Sequence, residues 1–282
     1  MKPPRFTYHC PGSLGEALDL LATLPNARPL AGGQSLMPML NFRLASPDHL
    51  VDLNALEELA FIREDGDAVV IGALTRQRDI ENSALVARRL PLMAEAIRLV
   101  GHRQTRNRGT LGGSLAHFDP SAELPAVATA LDAEVRIASK RGERTLGMAQ
   151  FGRGLLSTAL ESDEIVTEVR LPAWPQGHGH GFQEFARRHG DFAVVSAAAL
   201  VVRSKGAVTR ASLTLGGIAP APLRMAQAEA ILQARGTLAQ AAEACGSIEA
   251  LGDATYPAWY RRKLAVSLAR RALEQAMGRA AS

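Results

Sequence analysis

Two short segments, PLAGGQSL at residues 29–36 and GTLGGSL at residues 109–115, limit the folds open to this chain more than any other feature. In each, an apolar residue precedes a glycine pair and a side chain that can form hydrogen bonds follows it. Glycine permits φ > 0 and leaves room for a ligand to come close, and successive N–H groups in such a loop can converge on an anion. Two such loops could hold both phosphates of a pyrophosphate. Two ordinary tight turns are the alternative.

Glycine frequency alone does not decide between the two readings. With 25 glycines in 282 residues, about two Gly-Gly pairs are expected by chance, and this chain has three, the third at Gly216-Gly217. Neither segment has the Gly-x-Gly-x-x-Gly pattern of a Rossmann site or the Gly-Lys-Ser/Thr of a P-loop. A nucleotide site here would therefore be of another kind.

The first 55 residues read as a small α/β unit. Ser13 followed by Glu16 forms a capping-box pattern. The helix that it opens has one apolar face, made of Leu14, Ala17, Leu18 and Leu21. Short extended runs at residues 29–31 and 50–53 then predict two strands, and strand–helix–strand order at this density favours parallel pairing.

Residues 56–173 read as a largely antiparallel sheet covered by helices. Asp65-Gly66 and the segment 140–142 are turn signals between alternating runs, residues 76–100 are helical with a new start at Pro91, and residues 164–172 form a further strand. Asp119 before Pro120 predicts a helix cap. Glu123 then lies in the first turn, where it complements the helix dipole or accepts hydrogen bonds from ribose hydroxyls or an adenine amine.

Residues 174–282 read as a C-terminal domain. The segment 173–181 has the Gly and Pro content of a linker, and its His178 and His180 are read as a solvated loop, not as metal ligands. Two strands flank residues 204–206. Residues 225–277 are predicted to be helical, and the last helix has an apolar stripe made of Leu264, Leu268, Ala272 and Leu273.

Composition excludes several classes of protein. No apolar run approaches the ~20 residues of a membrane span, and the N-terminus lacks an apolar leader, so we expect a cytoplasmic protein. Cys10 and Cys245 are the only cysteines, too few for a zinc ribbon or a cysteine-held iron–sulfur cluster. The net charge is +4, but the arginines are dispersed and aromatics are only 5%, so we expect no nucleic-acid partner.

In order along the chain, five motifs resemble one family. They are AGGQSLMPMLNFRLASPDHLVDLN, NRGTLGGSLAHFDPSAELPAVATALDA, DEIVTEVRLP, FARRHGDFAVVSAA and LGGIAPAPLR. They are similar to the FAD-binding medium subunit of molybdenum hydroxylases of the carbon-monoxide-dehydrogenase type, and to the FAD domain of xanthine dehydrogenase. The resemblance covers essentially the whole chain.

The resemblance implies an α+β fold with an α/β N-terminal part. This is the vanillyl-alcohol-oxidase-type (PCMH-type) FAD-binding fold, with subdomains at residues 1–55 and 56–173. A C-terminal domain at residues 174–282 adds a small antiparallel sheet and a helical bundle.

The resemblance also implies which residues hold FAD, with the two Gly-Gly segments on its pyrophosphate and Ile165 or Val166 against the flavin ring. It implies no catalytic residue and no metal ligand in this chain. Many relatives have histidine at Gln34, and tyrosine is frequent at Phe192, so a charge at the first position and a hydroxyl at the second do not carry over. The implied cofactor-binding residues are Arg28, Pro29, Leu30, Ala31, Gly32, Gly33, Gln34, Ser35, Leu36, Val100, Gly109, Thr110, Leu111, Gly112, Gly113, Ser114, His117, Glu123, Ile165, Val166, Gln183 and Phe192.

The implied function is electron transfer. A molybdopterin-binding large subunit would hydroxylate the substrate, and a small subunit with two [2Fe–2S] clusters would pass electrons to FAD in this chain and on to an external acceptor. The implied assembly is a dimer of heterotrimers. A free-standing FAD-dependent oxidoreductase with its own substrate is one alternative, and an assembly protein without FAD is another.

Overall fold

The computed structural model describes residues 2–281. An N-terminal sheet of three parallel strands has the order β1-β3-β2. Ser13 caps α1 by accepting a hydrogen bond from the Glu16 N–H at 3.2 Å, but the Glu16 carboxylate accepts from the Gly12 N–H, not from that of Ser13, so the predicted capping box is incomplete. The elements are β1 Thr7–His9, α1 Leu14–Thr23, β2 Ala27–Leu30, α2 Leu36–Asn41 and β3 His49–Asp52.

An antiparallel sheet of five strands follows a 3₁₀ turn at Glu57–Leu59, in the order β4-β5-β10-β6-β7. Both predicted hairpins and the helix start at Pro91 are confirmed. The elements are β4 Ile62–Asp65, β5 Ala68–Gly72, α3 Gln77–Glu81, α4 Ala84–Arg89, α5 Pro91–Ala96, α6 Arg103–Arg108, α7 Leu111–His117, α8 Glu123–Ala130, β6 Glu134–Ser139, β7 Gly142–Gly147, α9 Met148–Phe151, β8 Gly152–Gly154, β9 Ser157–Thr158 and β10 Ile165–Pro172.

A second antiparallel sheet, β11-β12-β13-β14, carries three C-terminal helices. The predicted hairpin around residues 204–206 is confirmed. The helical prediction for residues 225–277 is interrupted, because residues 234–237 and 245–257 lie outside helices. The elements are β11 Gly179–Phe185, β12 Val195–Ser204, β13 Ala207–Gly216, β14 Leu223–Arg224, α10 Ala226–Gln233, α11 Leu238–Ala244 and α12 Ala258–Arg279.

Two further predictions are wrong in detail. The linker ends earlier than residue 181, because β11 begins at Gly179 and takes His180 into the sheet, where it contacts Glu95 at 3.4 Å. Asp119 caps no helix: its carboxylate accepts from the Ser121 N–H in a local turn, and α8 begins at Glu123. Ser and Asp side chains stabilise such turns as readily as helix starts.

Apolar side chains form three buried clusters. One lies between the N-terminal sheet and α1, and another between the last sheet and α10 to α12. The central cluster joins the five-stranded sheet, its helices and Phe182 of β11. Within residues 2–281, no helix combines the length and the apolarity that crossing a bilayer requires. The division at residues 55 and 173 stays a prediction.

Candidate functional site

A cavity of about 720 Å³ opens where the N-terminal sheet, the α6–α7 region and the start of β10 meet. Its volume is within the range of small-molecule and cofactor sites. It brings together segments that are far apart in sequence. The predicted site residues that line it are Arg28, Pro29, Ala31, Gly32, Gly33, Gln34, Ser35, Leu36, Val100, Gly109, Thr110, Gly112, Gly113, Ser114, His117, Glu123, Ile165, Val166 and Phe192.

Three predicted residues do not line the cavity. Leu111 is fully buried in the central cluster, and Leu30 ends β2 beneath the glycine loop. Gln183 lies in β11, where its amide donates to Gln275 of α12 at 2.9 Å. Only the family resemblance points to Gln183, as a position that is basic in some relatives; it lies outside the five motifs. Side-chain alternation along β11 turns it toward α12 instead.

The first glycine segment presents a row of unused donors to this cavity. Within residues 2–281, the backbone N–H groups of residues 32–36 donate no hydrogen bond to a protein atom. Gly33 has φ of +71°, which turns the chain here. Successive N–H groups in such a turn form an anion-binding nest. The prediction of a nest at the first glycine pair therefore matches the backbone geometry.

The second glycine segment is not a loop. Gly112 and Gly113 lie in the first turn of α7, which Thr110 caps. The Gly112 N–H donates to the carbonyl of Ala73 at 2.9 Å, and the Gly113 N–H donates to the Thr110 hydroxyl at 3.1 Å. These groups are already satisfied, so a second nest at this pair is ruled out.

Both glycine pairs are required by contacts within the protein. A Cβ at Gly32 would lie 2.2 Å from the carbonyl oxygen of Arg108, and one at Gly112 would lie 2.5 Å from the Cβ of Ala73. Real Cβ atoms do not come so close to other atoms. Gly32 lets the first loop pack on the α6–α7 connection, and Gly112 lets α7 pack on the chain just after β5. These contacts build the wall of the cavity.

Polar side chains that the sequence did not point to hold this wall together. The Arg76 guanidinium donates to the Arg108 carbonyl at 2.6 Å and to the Asn54 amide oxygen at 2.5 Å, and Asn54 donates to the Ala31 carbonyl at 2.9 Å. Gln77 lines the cavity, and its Oε1 is buried without a hydrogen-bond partner in the described part of the chain. Arg76 and Gln77 belong to no recognisable motif, so the sequence gives no sign of these contacts.

Burial perturbs the ionisable groups in the wall. Glu123 is 3% exposed, and burial raises its pKa to about 8. Burial also lowers the pKa of His117, so both side chains are neutral near pH 7. Burial opposes the ionisation of Glu164, but its hydrogen bonds with Arg144 and the Glu161 N–H outweigh that effect and lower its pKa.

The mouth and floor of the cavity are apolar. Ile165 and Val166, at the start of β10, are buried in the floor, as expected for side chains that would face a flavin ring. Leu44, Leu156 and Phe192 lie at the edge and are 74%, 47% and 60% exposed. The cavity therefore combines a row of unpaired backbone N–H groups with an apolar floor and edge.

Two family models together match almost the whole chain. Residues 4–174 match the FAD binding domain in molybdopterin dehydrogenase, and residues 180–276 match the CO dehydrogenase flavoprotein C-terminal domain.

Individual relatives align from end to end. The chain is 39% identical to the carbon monoxide dehydrogenase medium chain of Hydrogenophaga pseudoflava, over 100% of both chains. It is 40% identical to the caffeine dehydrogenase subunit beta of Pseudomonas sp. (strain CBB1), over 99% of this chain and 97% of the relative.

Solved structures give the same result. The TM-score is 0.97 against the carbon monoxide dehydrogenase of Hydrogenophaga pseudoflava, at 41% identity over 100% of both chains. Against quinoline 2-oxidoreductase of Pseudomonas putida 86 it is 0.93, at 37% identity over 99% of both chains. The predicted fold class is confirmed.

Proposed function

This chain belongs to the family of FAD-binding domains of molybdopterin dehydrogenases, and we propose that it is the electron-transfer subunit of a heteromeric molybdenum hydroxylase. It is an oxidoreductase subunit, and its cofactor is FAD. The observation that carries the proposal is the row of unused N–H groups at residues 32–36 on the wall of a cavity with an apolar floor.

The residues of the cavity fit FAD. The N–H groups of residues 32–36 would bind its pyrophosphate, and the buried amide oxygen of Gln77 supplies an acceptor for a hydroxyl or amine of the cofactor. Ile165 and Val166 provide an apolar, buried surface against which the flavin ring would pack.

FAD supplies the redox chemistry when it is bound, since it can accept electrons singly and release them in pairs. The protein binds it, orients it and excludes water from its inner face. Leu44, Leu156 and Phe192 leave the mouth apolar and accessible, which suits the approach of a second redox subunit.

The partners follow from the proposed role. A molybdopterin-binding large subunit would oxidise the substrate, and a small subunit with [2Fe–2S] clusters would dock near the flavin, in a dimer of heterotrimers in the cytoplasm. Cys10 and Cys245 are unpaired in the structure and too few to ligate such clusters here.

A charge placed in the nest tests the cofactor site. Ser35 is the N-cap of α2 and lines the cavity, and aspartate is an equally good N-cap. We expect Ser35→Asp to fold normally and to lose FAD, because the carboxylate repels the pyrophosphate. Ser83→Asp is the matched control, since Ser83 caps α4 away from the cavity. FAD per chain is measured by absorbance after denaturation, and an FAD content of Ser35→Asp equal to the control's would refute the site.

Co-expression tests the electron-transfer role. A tagged chain, produced together with a candidate large subunit and a candidate small subunit, should retain both, and electrons from the small subunit's clusters should bleach the flavin absorbance. Substrate turnover by the purified single chain would instead establish the free-standing oxidoreductase. A complete complex that contains no flavin would leave only the assembly role.

A further inference from the structure

Side chains alternate across β11, so its two faces meet different neighbours. Gly181 lies against α12, because a Cβ there would be 2.4 Å from the carbonyl oxygen of Ala272. Phe182 points the opposite way, into the central cluster with side chains of α5 and α8. Glu184 shares the face of Phe182 and is therefore directed toward α8, not α12.

On the neighbouring strands, the residues in register with Glu184 form a row across the sheet beneath α8. Glu184 is directly opposite Ser196 on β12, and Ser196 is opposite Gly216 on β13. A Cβ at Gly216 would lie 3.4 Å from the Cβ of Ala126, in α8, and 3.2 Å from the carbonyl of Pro120, just before it. The row therefore runs under the first half of α8.

The direction of α8 places Glu123 at the same end of the sheet as this row. The C-terminal end of the helix is anchored further along β13, where the Ser212 hydroxyl donates to the Ala130 carbonyl at 2.7 Å. Glu123 is the first residue of α8. Glu123 and Glu184 thus face one seam, between the start of α8 and the edge of the last sheet.

This seam has little capacity to stabilise two negative charges. Glu184 Oε2 and Ser196 Oγ are both buried without a hydrogen-bond partner in the described residues. Burial raises the pKa of Glu184 to about 7. Burial, and then the charge of Glu184, raise that of Glu123 to about 8.

The charged groups around the seam do not neutralise it. Asp119 adds further negative charge near Glu123, and Arg106 is committed to a two-point ion pair with Glu81. His117 on α7 has a pKa lowered by burial. On α5, Glu95 is paired with Arg279 of α12 and contacts His180 of β11.

We propose that Glu184 is a positioning residue for Glu123: its buried carboxyl group, which faces the same seam, disfavours a negative charge on Glu123 and so keeps Glu123 neutral at the edge of the cofactor cavity. The inference rests on the proposed binding of FAD in the cavity that Glu123 lines. A neutral carboxyl group both donates and accepts a hydrogen bond and does not repel the pyrophosphate. An ionised carboxylate at Glu123 would repel the pyrophosphate.

The pH dependence of FAD affinity tests this arrangement. With the full chain stripped of flavin, fluorescence quenching gives the Kd of FAD between about pH 6 and 9. The wild type should bind FAD about tenfold more weakly at the upper end, where Glu123 loses its proton. Glu184→Gln removes the repulsion and should move the midpoint down by about one pH unit, and Glu123→Gln should flatten the profile. Glu143→Gln, an exposed acid of β7, should behave as the wild type.

If Glu184 only contributes to packing and does not affect the protonation of Glu123, the result would differ. In that case Glu184→Gln would weaken binding equally at every pH with an unchanged midpoint, and the proposal would be wrong. The infrared band of a protonated carboxyl group near neutral pH, absent in Glu123→Gln and lost at lower pH in Glu184→Gln than in the wild type, reports the protonation of Glu123 without FAD. A wild type with this band and no FAD binding would refute the proposed function alone. A wild type that binds FAD without the band would refute the neutral Glu123 alone.

Discussion

The backbone of Gly32 lies directly on that of Arg108, so that a Cβ at position 32 would be 2.2 Å from the Arg108 carbonyl oxygen. This contact joins the loop after β2 to the end of α6, and both segments line the cavity. The glycine is therefore needed for assembly of the site from two separate parts of the chain.

Gly32→Ala should lower the free energy of unfolding by about 3 kcal/mol and reduce FAD content, because the methyl group forces the two backbones apart. Gly278→Ala is the control. A Cβ at Gly278, in the last turn of α12, meets no atom within 4 Å, and the change should stabilise the chain by about 0.5 kcal/mol. Urea unfolding measures both, and equal stability of the two variants would contradict the packing argument.

Gln34→Ala should weaken FAD binding by only about fivefold. The Gln34 amide is exposed and donates to the Gly32 carbonyl at 3.1 Å, whereas the N–H groups assigned to the phosphates belong to the backbone and survive the change. Gln104→Ala, an exposed amide on α6, should leave the Kd of FAD unchanged. A loss of more than about a hundredfold (about 3 kcal/mol) would mean that the side chain, not the nest, binds the anion.

Arg106→Lys should cost about 3 kcal/mol of stability. The Arg106 guanidinium binds Glu81 at two points and also donates to the Val100 and Gly101 carbonyls, and an ammonium group cannot reproduce this geometry. The side chains of Arg106 and Glu81 are 11% and 21% exposed, so a poorly paired Glu81 would also be poorly solvated. Arg88→Lys, whose side chain is 65% exposed in its pair with Glu64, should cost less than about 0.5 kcal/mol. Thermal unfolding distinguishes them, and similar losses would argue against the buried pair.

His180→Asn should make the protein less sensitive to acid. Burial, and then the charge of Arg279, lower the pKa of His180 to about 4, whereas the unfolded chain takes up this proton near pH 6.5. Stability that depends on neutral His180 is present above pH 6.5 and is lost as pH falls toward about 4. Between pH 7 and about 5, the urea midpoint of the wild type should fall further than that of His180→Asn. His189→Asn, in an exposed loop, should follow the wild type, and identical slopes for all three would refute the assignment.

Local signals in the sequence predicted much of the secondary structure. The cap at Ser13, the turn at Asp65-Gly66 and the helix start at Pro91 depend on contacts within a few residues, and the structure contains all three. Asp119 shows the limit of such reasoning. Its carboxylate stabilises a local turn, and the helix begins three residues later than predicted, with Ala122 as its N-cap. Turns and helix starts use the same short-range hydrogen bonds, so the sequence does not distinguish them here.

The sequence by itself determined the family, the fold class and the cofactor, because five motifs in a fixed order carry that information. Only the tertiary structure decided how each residue is used. It separated the two glycine pairs into an open nest at Gly32-Gly33 and a satisfied helix start at Gly112-Gly113, turned Gln183 toward α12, and brought Glu184 beside the start of α8. These outcomes depend on contacts between residues distant in sequence, and on which neighbour satisfies each buried polar group. Neither the residue types nor their spacing along the chain encodes these contacts locally.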